Sequence, residues 1–304
     1  MIFSYAWKKE SPSLIPKGLF MQSDSKQYYT VIRPHAPLLQ LDLKELFKYK
    51  DLILILARKD FSQRYRQTIL GPIWALLSPL LTSLTHLFIF GTIANIGTDN
   101  IPKILFYLCS NNLWSVFSTC LRDNSHTFLS NSNLFSKVYF PRLSVPAAST
   151  LVILYRWGIQ TLVLIPLYLY YLIKGAVHPI WSMFFLLPLI LLWTALIGTG
   201  AGLIINSATT KYRDLAMLVG FGLSLGIYVT PVVYPLSTLT ESKWFPLICL
   251  NPVSAPVELF RKILLGTGTI IPWSVACSLL MTFCLVFLGL IAFHHVERNF
   301  VDTI

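Results

Sequence analysis

Residues 58–79 read RKDFSQRYRQTILGPIWALLSP. The stretch begins basic and amphipathic, crosses Gly71-Pro72, and ends inside a long apolar run. Within these residues the chain passes from water, through lipid headgroups, into hydrocarbon. That passage decides the fold class: an all-α polytopic membrane protein.

Composition agrees with it. Of 304 residues, 55% are hydrophobic and 12% charged, against roughly 25% charged in a soluble domain. Mean hydropathy is +0.63. The net charge of +11 would suggest nucleic acid in a soluble protein. Here the basic residues gather at the ends of apolar runs, which points to anionic headgroups as the partner and excludes nucleic acid. The five cysteines form no C-x-x-C pair and four lie in apolar runs, so they read as small buried hydrophobes. The first residues lack a basic start followed by an apolar core, so no cleavable signal peptide is expected.

Upstream of the opening stretch, residues 1–36 are polar and rich in Ser and Pro and read as a cytoplasmic tail. Residues 37–70 read as an amphipathic interface helix. Asp42 and Glu45 have N-cap spacing, apolar residues recur from Leu43 to Tyr65, and a break falls near Lys59-Asp60. Residues 71–304 form the export domain implied by the resemblance below. Six spans are expected there by length and exclusion of charge, at 73–93, 103–121, 145–173, 180–205, 215–234 and 271–293. The second is weakly apolar, with Asn111 and Asn112 in its middle. Residues 245–265 carry Pro246, Pro252, Pro256, Glu258, Arg261 and Lys262. They read as a re-entrant pair of short helices shielded by protein. Thirteen Lys and Arg then fall on one side and five on the other; without residues 44–66 the margin is six to five. The N- and C-termini are therefore expected in the cytoplasm.

The sequence holds no Gly-Lys dipeptide, so a Walker-type phosphate loop is absent from it. Metal-ligand spacings and a nucleophile–base pair are absent too, and no cofactor or enzymatic activity is expected of this chain. Arg156 is the one basic residue deep in a span, where a charge faces a cavity or partner or else snorkels. Trp114, Phe117, Tyr228 and Tyr234 are, with Arg156, the candidates for lining a conduit, since flat aromatic faces suit sugars. Lipid-facing packing is the plainer role for any one of them. Residues 131–141, NSNLFSKVYFP, join the second and third spans as a short interfacial helix or a dock for a soluble motor.

Six blocks carry a resemblance: KDFSQRYRQTILGPIWALLSP (59–79), LFSKVYFPR (134–142), KYRD (211–214), TPVVYP (230–235), LNPVSAPVELFR (250–261) and VERNFVDTI (296–304). In that order they resemble the membrane subunit of bacterial polysaccharide ABC exporters, the permeases for O-antigen, capsule and teichoic-acid-like polymers. The O-antigen branch is the most similar. The resemblance covers roughly residues 36–304 and implies a homodimer of six-span subunits in the inner membrane. It also implies two copies of a separate ATPase and an undecaprenyl-linked polysaccharide as cargo. ATPase coupling is then expected at Asn133, Leu134, Phe135, Lys137 and Tyr139. Arg58, Arg64 and Arg66 would seat the interface helix at headgroups, and Gly71-Pro72 would act as its hinge. Arg156 departs from the acidic or small residue usual in the family. The alternatives are another cargo, such as a drug or lipid, and a membrane glycan polymerase or ligase. An ion-coupled carrier would want paired acidic residues in the spans, and the six spans as assigned hold none.

Overall fold

The computed structural model describes residues 46, 48–66, 71, 73–135, 140–212 and 214–300, leaving out the side chains of Asn133 and of 298–300. The expected tail, the Asp42–Glu45 cap, Pro72, Lys137 and Tyr139 lie outside the described residues.

All regular structure described is helical. In chain order, α1 is Lys50–Tyr65, α2 is Ile73–His86 with a π-helical continuation Leu87–Ile93, and α3 is Lys103–Asn124. Two one-turn helices follow, α4 (Thr127–Ser130) and α5 (Ser132–Phe135), and then α6 (Ser144–Ile173). A 3-10 turn Trp181–Leu186 leads into α7 (Leu187–Thr209), followed by α8 (Leu215–Val229). The helix pair α9 (Phe245–Leu250) and α10 (Ser254–Leu265) precedes α11 (Pro272–Phe300).

Among the described residues, five helices are long and apolar enough to cross a membrane: Ile73–Ile93, Lys103–Asn124, Ser144–Ile173, Trp181–Thr209 and Pro272–Glu297. The expected fifth span, 215–234, is shorter. α8 stops at Val229 because Thr230 turns extended (φ −102°, ψ 143°) ahead of Pro231, and the residue before a proline disfavours the helical region. Its 15 residues reach about 22 Å, short of a hydrocarbon core of roughly 30 Å. The chain continues as buried, non-helical backbone through 230–233. Irregular backbone is tolerated at that depth where protein shields it.

Side-chain pairings give the helix directions. Gly198 faces Phe117 and Cys120, and Gly202 faces Leu121 and Asn124, so α7 runs parallel to α3. Trp193 donates to Thr282 at 2.8 Å and Gly200 meets Leu285, so α11 is parallel to α7. Asn111 pairs with Ser83, Ser115 with Gln160, and Trp114 abuts Gly226. Continued by Asn124 with Thr150, Lys103 beside Gly91 and Asp99 with Ser237, these contacts set α2, α6 and α8 antiparallel to α3. Because α7 and α11 run the same way, the chain between them returns once, through α8 and the segment that follows it.

The least apolar span is the hub. In α3, 72% of the apolar window is buried, against 17% to 39% in the other four. Its Asn111, Asn112, Ser115 and Asn124 would be costly against lipid; all but Asn112 bond to side chains of the surrounding helices. α7 comes close enough through Gly198 and Gly202. A Cβ at Gly198 would stand 2.6 Å from the Phe117 carbonyl, and one at Gly202 2.8 Å from the Asn124 Cβ. This is small-x-x-x-small packing, in which missing side chains let backbones approach. On the same helix, Gly200 meets α11, where Gly289 matches it.

α1 runs unbroken through Lys59 and Asp60, contrary to the expected break, and Arg64 hydrogen-bonds Asp60 one turn earlier across that point. It packs beside the first third of α6, with Ala57 against Ala148 and Val152 and Phe61 edge-on to Tyr155 at 5.2 Å. Leu54 and Ile55 stay exposed on another side. The helix thus has two apolar faces rather than the single stripe its spacing suggests.

Gly202→Val should force α3 and α7 apart and cost roughly 1–3 kcal/mol, seen as a lower unfolding midpoint in detergent. Gly220→Val, on α8 with nothing within 4 Å of its would-be Cβ, should leave the midpoint nearly unchanged. Equal effects would contradict the close-packing account.

Candidate coupling site and the two ends of the bundle

One end of the bundle carries most of the basic residues, and α1 is fastened there by charge. The Arg64 guanidinium reaches Asp60 at 3.1 Å and Asp123, in the last turn of α3, at 2.7 Å. Burial opposes its charge, but Asp123 and Asp60 outweigh that and raise its affinity for the proton. A raised affinity makes the contribution complete throughout the physiological pH range and lost only in strong alkali. The pair is partly exposed, so it contributes about 1 kcal/mol or less. Of the three arginines expected at headgroups, Arg58 and Arg66 are exposed, whereas Arg64 ties α1 to the hub helix.

The segment between α3 and α6 is held on several sides. Thr209 donates to the Ser125 carbonyl, and the Phe128 amide donates to Asn206 Oδ1 at 3.3 Å. Both bonds fix it to the end of α7. Phe128 stacks on Phe293 of α11 with centroids 4.7 Å apart, and Phe135 stacks on Phe140 at 5.8 Å. Arg142 lies 5.8 Å from the Phe135 ring centre and donates to the Glu297 carbonyl of α11 at 2.6 Å. Of the coupling candidates, Asn133 and Leu134 are on α5, and Phe135 is buried in this aromatic cluster. Phe135 therefore holds the segment against α7 and α11 from inside.

Gly71, at the expected hinge, has φ +46° with nothing within 4 Å of a would-be Cβ. The left-handed conformation, not space, is what glycine supplies there.

The opposite end is closed by α9 and α10, the pair expected from the prolines. α10 is buried against α3 and α7. At its centre Glu258 and Arg261 form a salt bridge at 3% and 1% side-chain exposure. Glu258 also accepts the amides of Leu236 at 3.2 Å and Thr269 at 3.1 Å. The Arg261 guanidinium lies 4.5 Å from the Phe106 ring centre on α3 and donates to the Tyr234 carbonyl. One ion pair thus gathers the segment after α8, the connection leading into α11 and the hub. Gly266 ends α10 at φ +81°, where a Cβ would stand 2.3 Å from the His178 carbonyl. Sequence reasoning treated Glu258 and Arg261 only as charges that break a span. Their E-x-x-R spacing puts them on one helix face, and that signal was available.

The conduit candidates lie on α3, α6, α8 and the segment that follows α8. Trp114 is 8% exposed, its ring 3.2 Å from a would-be Cβ at Gly226 and beside Phe117. Tyr228 is half-exposed near Phe90 of the π-helical turn. The Tyr234 hydroxyl donates to the Tyr228 carbonyl at 3.2 Å. Arg156 sits on α6 next to the residue that touches α1.

A profile of the family described as ABC-2 type transporter matches residues 51–265, from α1 to the end of α10. The chain belongs to the ABC-2 type transporter family. It is a multi-pass membrane transport subunit. Among proteins of this family, the chain is similar to an "O-antigen export system permease protein RfbA" of Klebsiella pneumoniae. Identity there is 24% over 84% of this chain and 95% of that protein. A protein of the same name in Myxococcus xanthus is 27% identical over 73% of this chain and 83% of its own length. The "Polysialic acid transport protein KpsM" of Escherichia coli is 25% identical over 67% and 77%. ABC-2 permeases normally work with an ATPase subunit, in keeping with the lack of a phosphate loop here.

Glu258→Gln leaves the buried Arg261 without its counter-charge and should cost roughly 3–5 kcal/mol, read as loss of the folded species in detergent. A Glu258→Leu/Arg261→Leu double variant should recover much of that. A double variant no better than the single one would contradict the ion-pair account.

Proposed function

We propose that this chain is the permease subunit of an ABC exporter that moves a lipid-linked polysaccharide of the O-antigen type across the bacterial inner membrane. The observation that carries the proposal is the likeness, over 84% of the chain and 95% of the relative, to an O-antigen export permease. The cargo is glycan on an undecaprenyl carrier. Two copies of this subunit form the conduit, and two copies of a soluble ATPase drive it. The basic end faces the cytoplasm together with both termini, as the excess of Lys and Arg there favours. α9 and α10 then stand at the periplasmic end as the closing element.

The ATPase engages the segment from Asn133 to Tyr139. Its movement passes to α7 through Ser125 and Asn206, and to α11 through Phe293 and Glu297. α1 follows through Arg64, pivoting at Gly71-Pro72. Separation of the two subunits brings Trp114, Phe117, Tyr228 and Tyr234 to the glycan path.

Deleting the gene should abolish surface polysaccharide and leave lipid-linked polymer inside the cell. Intact surface glycan with altered drug sensitivity would instead assign another cargo. In the complemented strain, Phe135→Ala/Tyr139→Ala at normal membrane levels should lose surface polymer while the ATPase still turns over. Normal export by that variant would overturn the coupling assignment.

At the hinge, Gly71→Leu places a side chain in a left-handed conformation at a cost of about 1–2 kcal/mol and should slow export. Gly71→Asn, which tolerates that conformation, should export better than the leucine variant. Equal, wild-type export by both would remove the hinge from the mechanism.

A further inference from the structure

α8 is held lightly by its own subunit. Of its 15 residues, only Leu223 and Ile227 are buried, and Met217, Phe221 and Leu225 are at least half-exposed. A helix with so few buried contacts is the part of a bundle most easily displaced. What it takes with it depends on how its end is fastened.

That end is Thr230, which is fully buried. Its hydroxyl donates to the Gly226 carbonyl one turn back at 2.9 Å. The single proton is thereby committed to α8, and a lone pair is left to accept. Asn251, in the turn between α9 and α10, fills it: Nδ2 donates to Thr230 Oγ1 at 2.9 Å. The Val253 amide donates to Asn251 Oδ1 at 3.0 Å, and that bond fixes which end of the side-chain amide faces Thr230. A chain of three hydrogen bonds thus runs from the last turn of α8 to the residue that precedes α10.

Both residues stand immediately before a proline, Pro231 and Pro252. Both have extended backbone, with ψ 143° at Thr230 and 122° at Asn251, as a following proline favours. The bond therefore joins two stiff corners, and displacement of one is passed to the other rather than absorbed by backbone rotation. The hydrogen bonds of Glu258 to Leu236 and of Arg261 to Tyr234 grip the chain beyond α8; Asn251 grips the helix itself. On the other side of the turn, Ser278 of α11 donates to the Pro252 carbonyl and Ser274 to that of Cys249. The α9–α10 turn is a junction between α8 and α11. α10 is anchored to the hub by its ion pair, so a shift of α8 against α11 is felt at α9 and the turn.

We propose that Thr230 and Asn251 are positioning residues that make α9 and its turn follow α8 when the subunit opens. The blocks 230–235 and 250–261 each contribute one partner. The proposal rests on the reading of this chain as an ATPase-driven exporter and not on the identity of the cargo.

The test is hydrogen exchange, read by mass spectrometry, on the full chain in nanodiscs with its ATPase partner, nucleotide-free and trapped with ATP and vanadate. In the wild type, trapping should change exchange in α8 and in residues 245–254 together. Thr230→Val keeps the shape of the side chain and loses the hydroxyl. It should keep the change in α8 and cut the change in 245–254 to less than about half. Thr230→Ser should restore it. Asn251→Ala should act like the valine variant, and the double variant should go no further, because the two residues share one bond. A merely structural role would alter both states equally and leave the nucleotide-dependent difference in place. That result, or a wild-type response in Thr230→Val, would overturn the proposal. Should the valine variant fail to fold, Asn251→Ala decides. A wild type whose two regions do not respond together would also overturn it, and exchange untouched by nucleotide throughout the chain would overturn the ATPase-driven reading as well. A linked response in a complex that exports no polysaccharide upholds the link and overturns the cargo.

Discussion

Lipid offers no hydrogen bonds, and α3 carries seven amide and aliphatic hydroxyl side chains through it, Asn111, Ser115 and Asn124 among them. The structure is organised around that constraint. Asn111 bonds to Ser83 and His86 of α2, Ser115 to Gln160 of α6, and Asn124 lies between Thr150 and Thr199. Each of these pairings specifies a neighbour and its height along the bundle. The contacts close only because α7 brings glycines to the α3 face, and a single added Cβ there would stand inside backbone atoms. Helix direction follows from these pairings, and the return of the chain through α8 follows from helix direction.

The two ends are built differently, and the difference fits a machine driven from one side. At the basic end the ties are partly exposed ion pairs and stacked phenylalanines, each worth little alone and able to shift. Arg64 joins α1 to α3, and Arg142 joins the α5–α6 connection to α11. A push on that connection would reach α7 and α11 directly, and α1 by way of Arg64 and the hub helix. At the other end a dry ion pair fixes α10 to α3. A buried pair of this kind adds little net stability but is costly to break, so it holds α10 against the hub.

Much of this was legible in the sequence, for identifiable reasons. The span positions followed from length and hydropathy, because a hydrocarbon slab of fixed thickness selects both. The weak apolarity of 103–121 marked the future hub, although only packing shows that polarity there means burial. The short α8 was missed because the run 215–234 reads as continuous, yet Thr230-Pro231 ends the helix. The supposed break in α1 came from counting Lys59-Asp60 as interruptions, when Asp60 bonds forward to Arg64. Gly198-x-x-x-Gly202 was present as a packing signal and went unused. Arg64 was read as a lipid contact because its partner, Asp123, lies in a different helix and the sequence does not bring the two together. The coupling candidates were legible as a segment, while the burial of Phe135 depends on rings from α4 and α11.

The claim that a separate ATPase drives glycan export through this subunit meets its most direct test in sealed vesicles. The chain is reconstituted with its ATPase partner and lipid-linked polysaccharide presented on the ATPase side, and polymer protected in the lumen is measured. ATP should produce protected polymer, and a non-hydrolysable analogue should produce none. Equal protection with and without hydrolysis, or protection by this subunit alone, would contradict the account.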